Sequence, residues 1–298
     1  LACVGRAVSR RLCPGNAAMS ADVVAASHIM RAGFEVLSGH RTVLVRWLPL
    51  AKARAQALFV PAFGDEMNQM RRMVRIAAEA LAGRGVASCV FDLYGTGDSS
   101  ADFAGATIDR WLDDIRTIAA RIQANDDAPL LLIGCRLGAT LAAHASHDLP
   151  RTPATLIGWA PVLQGKTQLS GLLRAAMLVR TQRSDSSEPD ARTQWKAGRT
   201  ALVGGYPVSP ALAAQLDALG TAQAPLVGRA SLFDVRLPVG EDAVVPTEAL
   251  RRCAAAWTTD GVPTEASAIA GAAFWNVSEM IDVPELIDRT VAEVCGST

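Results

Sequence analysis

Short apolar runs alternate with longer segments of helical period along most of the chain. Two helical segments repeat apolar residues every three to four positions, which is typical of helices that cover a sheet. Predicted strands lie at 41–50, 55–63, 86–93, 129–134 and 154–162, and predicted helices at 67–85 and 107–124. A third helix starts directly after 129–134. This order predicts an α/β fold with a mostly parallel central sheet and helices on both faces.

The alternation stops between residues 163 and 228, where we find helical pieces and a polar break but no convincing strand. It resumes with a strand at 231–240, a helix near 247–256, a strand near 264–270 and the closing helix PELIDRTVAEVC. We therefore expect a helical lid insertion at 163–228, over the strand ends where open α/β sheets bind ligands. The core is expected at 26–162 and 229–298.

The first 25 residues are expected to be disordered or an upstream extension, with Met19 as an alternative start to Leu1. Lys plus Arg equals Asp plus Glu at 29 each, which gives no sign of a nucleic-acid partner. The six cysteines lack paired short spacings, so we expect neither a metal site nor a disulfide framework, and no cofactor. No apolar run reaches the roughly 18 residues of a transmembrane segment, and the expected location is cytoplasmic.

The stretch LLLIGCRLGAT, at 131–141, has the strand, sharp turn and helix start of a nucleophile elbow, Gly-x-Ser-x-Gly. Gly134 and Gly138 set the register, so Arg136 occupies the position of the serine and Cys135 precedes it. A guanidinium has no lone pair with which to attack a carbonyl. Beside helix N-terminal amides it suits anion binding. The alternative is that Arg136 pairs with an acidic neighbour such as Glu66 or Asp242.

A serine-type mechanism also needs a histidine late in the chain, and none follows residue 147. His144 and His147 lie down the helix from the elbow and are expected to be helix-surface or lid-contact residues. Asp242, in the loop LPVGEDAVVP, is the candidate catalytic acid. The loop PAFGDEMN would supply oxyanion-hole amides, and its Glu66 and Asn68 are further candidate partners for Arg136.

Residues 55–295 resemble the α/β-hydrolase superfamily, and most closely the exosortase A system-associated hydrolases of the type labelled hydrolase 2. The resemblance rests on PAFGDEMNQMRRM, FDLYGTGDSSADF, WLDDI, GCRLGA, VGGYPVSPALAAQLDAL and GAAFWNVSEMIDVPELI. In that family an arginine also stands between the elbow glycines, and a PFW-like segment, here AAFWN with Trp275, takes the place of the histidine. The resemblance implies a bacterial cytoplasmic protein that accompanies exopolysaccharide and protein-sorting functions.

Three functional hypotheses follow. The first is a protein that binds an acyl or anionic small molecule under the lid, with Arg136 as anchor and Glu66, Asn68, Phe63 and Trp275 around the ligand. The second is an esterase, thioesterase or acyltransferase that acts through Cys135, whose thiolate Arg136 would favour. The third is a non-catalytic scaffold with a protein partner in the exopolysaccharide or sorting machinery.

Overall fold

The apolar runs of the sequence form a central sheet. The computed structural model describes residues 28–183, 189–221, 223–238, 243–277 and 279–296. Within these residues the strands make one eight-stranded sheet and one separate hairpin. The strands are β1 (His28–Leu37), β2 (His40–Pro49), β3 (Ala55–Val60), β4 (Val86–Phe91), β5 (Leu130–Cys135), β6 (Thr155–Trp159), β7 (Ala201–Val203), β8 (Tyr206–Val208), β9 (Arg229–Arg236) and β10 (Thr264–Ala270).

The sheet has the order β1-β2-β4-β3-β5-β6-β9-β10. Pairing is antiparallel from β1 through β2 to β4 and parallel across the rest of the sheet. Parallel neighbours need crossover connections, which here contain helices. The helices are α1 (Asp65–Gly83), α2 (Ile108–Asn125), α3 (Leu137–Ala145), α4 (Gly165–Arg183), α5 (Ala191–Lys196), α6 (Pro210–Ala218), α7 (Glu248–Thr259) and α8 (Pro284–Gly296).

The core lies on both faces of the sheet. One apolar cluster joins α1 and α8 to the sheet, and the other joins α2, α3 and α7 to the opposite face. Strand β5 is buried at every position because it lies between these two layers. These findings confirm the predicted α/β fold, with a mostly parallel central sheet and helices on both faces. None of the helices that the structure describes is long and apolar enough to span a bilayer.

Two strand predictions were wrong. Strand β1 was missed, because it is an edge strand whose residues are nearly all exposed and therefore carry no clear alternation. The insertion was predicted without a strand, yet β7 and β8 form a short antiparallel hairpin there. Each has three residues, too few for periodicity to detect, and Gly204 and Gly205 at positive φ make the turn.

The described residues of the insertion carry α4, α5, the β7–β8 hairpin and α6. They attach to the core through polar contacts as well as apolar packing. Gln215 accepts a hydrogen bond from the backbone N–H of Ile108 at 2.7 Å, and the ring of His144 contacts the carbonyl of Gly220 at 2.6 Å. His144 is therefore a contact to the insertion, as predicted.

A buried His–Asp pair lies where the β1–β2 turn meets α2. His40 Nε2 is 3.6 Å from Asp114 Oδ1, and both side chains are at least 95% buried. Burial raises the pKa of Asp114 to about 7; the hydrogen bond from Tyr94 N–H opposes this and Asp113 adds to it. Burial, and then the charge of Arg110, lower the pKa of His40, while a backbone contact raises it. Neutral forms of both groups are therefore favoured.

The Asp114 carboxyl should make stability depend on pH. Because its pKa is higher in the folded than in the unfolded chain, its contribution is present in acid and is lost as the pH rises from about 4 to about 7. Relative to Asp114→Asn, the wild type should lose up to about 1.4 kcal/mol of unfolding free energy per pH unit over this range. Urea unfolding across the range measures this. Asp217→Asn, an exposed carboxylate on α6 that does not act on Asp114, is the control, and parallel pH curves for wild type and Asp114→Asn would contradict the assignment.

Candidate functional site

The turn between β5 and α3 forms the centre of the site. Arg136 has φ 55° and ψ −121°, a strained conformation for a residue with a side chain, at the N-terminus of α3. Its N–H donates to the Trp159 carbonyl at 2.9 Å, and its own carbonyl accepts from the N–H groups of Ala139 and Val162. The neighbouring backbone therefore holds this conformation.

The two glycines of the turn allow its backbone to lie directly against neighbouring backbone. A Cβ on Gly134 would lie 2.3 Å from Ala139 Cα, and a Cβ on Gly138 would lie 2.3 Å from the Val60 carbonyl oxygen. Neither distance is possible for a real side chain, and both obstacles are backbone atoms. The register predicted from these glycines thus has a physical cause, and it places Arg136 at the apex.

Arg136 directs its guanidinium into a polar cluster. Nε and Nη2 donate to Glu66 Oε1 at 3.2 and 3.1 Å, and Nη1 donates to the Ala160 carbonyl at 2.7 Å. The ring of Trp275 lies against the guanidinium, with Cζ 4.6 Å from the ring centroid. The side chains of Arg136 and Glu66 are 19% and 14% exposed. The pair is therefore largely removed from solvent, but it is not sealed.

The predicted site residues separate into two groups. Glu66 and Trp275 contact Arg136, whereas Asn68 is exposed on α1, where it accepts a long hydrogen bond from Arg71. Phe63 is buried among the rings of Phe103, Trp111 and Tyr206 beneath the insertion. Asp242 lies outside the described residues.

Cys135 belongs to a different environment from Arg136. It is 1% exposed and packs in the apolar cluster on the α1 and α8 side of the sheet. Burial raises the pKa of its thiol strongly, which disfavours the nucleophilic thiolate. No hydrogen bond joins Cys135 to a histidine among the described residues, which include all four histidines of the chain. The geometry thus gives the Cys135 hypothesis no support.

Trp275 comes from the segment AAFWN, which the resemblance places where a catalytic histidine would stand. It lies in a 3-10 turn at Phe274–Asn276, after β10, and is 7% exposed. An indole can donate one hydrogen bond but cannot accept a proton as imidazole does. At this site Trp275 therefore contributes a ring face to the Arg136 guanidinium and no proton acceptor.

Several contacts around the site were not predicted from the sequence. Tyr206, in the hairpin of the insertion, donates to Asp65 Oδ1 at 2.7 Å, and Gln168 of α4 donates a long 3.4 Å bond to Glu66 Oε2. Burial, followed by the hydrogen bond to Asp65, raises the pKa of Tyr206. Ala160, at φ 43°, supplies the carbonyl that Arg136 binds. Local patterns carry no signal for these contacts, which join segments 24 to 141 residues apart.

A family model described as "Serine aminopeptidase, S33" matches residues 51–202. Est1E from Butyrivibrio proteoclasticus, solved with ferulic acid bound, is 16% identical with a TM-score of 0.61, over 89% of this chain and 98% of that one. The Saccharomyces cerevisiae monoglyceride lipase is 12% identical, with a TM-score of 0.61 over 91% and 95%. Mouse alpha/beta hydrolase domain-containing protein 10 is 18% identical, with a TM-score of 0.57 over 90% and 100%. A search of curated protein sequences finds no match.

Gly138 should tolerate no side chain. The Cβ of Gly138→Ala would collide with the carbonyl oxygens of Val60 and Pro61, so β3 and the elbow must separate. We expect a loss of at least about 2 kcal/mol of unfolding free energy, measured by chemical denaturation. Gly171→Ala in α4 is the control, since its Cβ meets nothing within 4 Å and alanine favours a helix. Equal stability of the two variants would show that the close approach is not a constraint.

Proposed function

We propose that this chain, which belongs to the α/β-hydrolase family described as serine aminopeptidase S33, binds a small anionic molecule at its elbow without serine-type hydrolysis. The observation that carries the proposal is the position of Arg136 at the apex of the turn. In a serine hydrolase this position holds the group that attacks the substrate. A guanidinium at the same point can bind a carboxylate or phosphate but cannot form an acyl intermediate.

The guanidinium keeps donors for a ligand. Arginine has five N–H groups, and the hydrogen bonds described for Arg136 use three of them. Trp275 holds the guanidinium plane in position, so little side-chain entropy is lost when an anion binds. The amides at the start of α3 add a favourable dipole. These features support binding of a planar oxyanion such as a carboxylate.

Glu66 is the competitor of such a ligand. It neutralises Arg136 in the structure, and an anion would have to displace it or share the guanidinium with it. Its place in the first turn of α1 and its partial exposure allow the carboxylate to turn toward solvent. We infer that ligand affinity is set by the exchange of one carboxylate for another on Arg136.

If a ligand displaces Glu66 from Arg136, substitutions of these two residues should change anion affinity in opposite directions. Glu66→Gln removes the competing charge and should tighten binding of benzoate, butyrate or inorganic phosphate about tenfold, about 1.4 kcal/mol. Arg136→Gln should abolish that binding. Calorimetric titration measures both affinities, with thermal unfolding as a check on folding.

Arg72→Gln, at the surface pair with Asp282, is the matched control and should leave affinity unchanged. If the ion pair were a structural clamp alone, both Glu66→Gln and Arg136→Gln would lower the melting temperature while neither altered anion affinity. That result would contradict the proposal.

Hydrolysis through Cys135 remains testable. We expect wild type, Cys135→Ala and Arg136→Gln to release p-nitrophenol from short-chain esters at the same background rate. A fluorophosphonate probe and an activated thioester should leave no adduct on the chain, because no activated nucleophile faces the elbow. An acyl adduct on Cys135 by mass spectrometry, with loss of turnover in Cys135→Ala, would replace this proposal with the cysteine mechanism.

The assignment to the exosortase A system-associated hydrolases also remains a proposal. The segments that resemble exosortase A system-associated hydrolases support a role beside exopolysaccharide and protein-sorting functions, in the cytoplasm and with a protein partner. The arginine between the elbow glycines and the tryptophan in place of histidine agree with that resemblance. The scaffold hypothesis rests on the resemblance alone.

A further inference from the structure

A cavity that Arg136 does not line lies between α1 and the outer strands of the sheet. Its volume is about 300 Å³. Its wall is built mainly of aliphatic, aromatic and methionine side chains from β1, β2, β4 and α1, among them Met30, Val45, Trp47, Met70 and Val74. Methionine side chains adapt their shape to flexible apolar ligands.

The cavity follows from the topology. Strands β1 and β2 pair in the register Met30 with Trp47 and Ala32 with Val45, and all four of these residues line the cavity. They extend the sheet beyond the area that α1 covers, which leaves Met30 59% exposed at the edge. Cys135, at the end of β5, also lines this space. An apolar space therefore reaches from the exposed edge strand to the centre of the sheet.

Charged groups lie beside this apolar wall. Arg71, Arg75 and Asp92 are the ionisable side chains that line it apart from the Cys135 thiol. Asp92 is 2% exposed and is paired with Arg71 at 3.0 Å. Arg75 is 50% exposed and pairs with Glu79 one helical turn away, an arrangement that contributes little and exchanges easily. The lining thus carries one positive charge in excess, on a side chain that can turn toward a ligand.

We propose that this cavity binds an aliphatic chain ending in a carboxylate, with the chain inside and the carboxylate on Arg75. At roughly 30 Å³ per non-hydrogen atom, the share of a water molecule in the liquid, the cavity holds about ten atoms. A medium-length fatty acid or acyl group fits that volume. The site goes beyond the elbow function, since neither Arg136 nor Trp275 lines it.

Decanoate is the probe, titrated by calorimetry below its micelle concentration into the full chain. In the Arg136→Gln background, in which the elbow no longer binds a carboxylate, we expect one molecule to bind per chain. Ala32→Trp places a large ring in the mouth from an exposed strand position and should weaken binding at least tenfold. Ile29→Trp, on the same strand but on the opposite face, should leave it unchanged. Both variants should keep the wild-type melting temperature within a few degrees.

The head group is tested with Arg75→Gln. This variant should weaken decanoate binding several-fold and leave binding of decanol unchanged, because the alcohol carries no charge for Arg75. Arg136→Gln should keep the binding that Ala32→Trp weakens, because Arg136 does not line this cavity and its substitution removes only the elbow site. No binding of decanoate, or equal binding by wild type and Ala32→Trp, would overturn the proposal. If Arg136→Gln were the one variant that lost decanoate binding, decanoate would be assigned to the elbow. That result would support the function proposed for the elbow and refute the cavity as a site.

Discussion

The contact between the elbow backbone and its neighbours is the constraint on which the site depends. Gly138 lies against the carbonyls of Val60 and Pro61, and Gly134 lies against Ala139, at distances that exclude any Cβ. This packing brings β3, β5 and α3 together and forces residue 136 into a strained conformation. Whatever side chain stands there is presented at the carboxyl end of the sheet.

In this chain that side chain is an arginine, and the surrounding residues are matched to it. Glu66 balances its charge, the Ala160 carbonyl accepts one of its N–H groups, and the Trp275 ring lies against it. A serine in the same place would need a base, but the described segment after β10 offers an indole instead. The cluster therefore stabilises a cation at the apex of the turn.

The insertion completes the site from the other side. Tyr206 bonds to Asp65 and packs on Phe63, while Gln168 reaches Glu66, so the insertion contacts the first turn of α1, which carries the partner of Arg136. The apolar space beside α1 is built differently, from the edge strands β1 and β2, which extend beyond the area that α1 covers.

The sequence by itself determined the α/β order, most strand and helix positions, and the identity of the residue at the apex. Those features depend on local periodicity and on two glycines four positions apart, and both signals can be recognised in the amino-acid sequence. Only the tertiary structure decided that Arg136 pairs with Glu66, that Cys135 faces the apolar cluster, and that an exposed strand and a short hairpin complete the fold. Ion pairs between distant segments and burial depend on how layers pack, and edge strands lack the alternation that a buried face imposes.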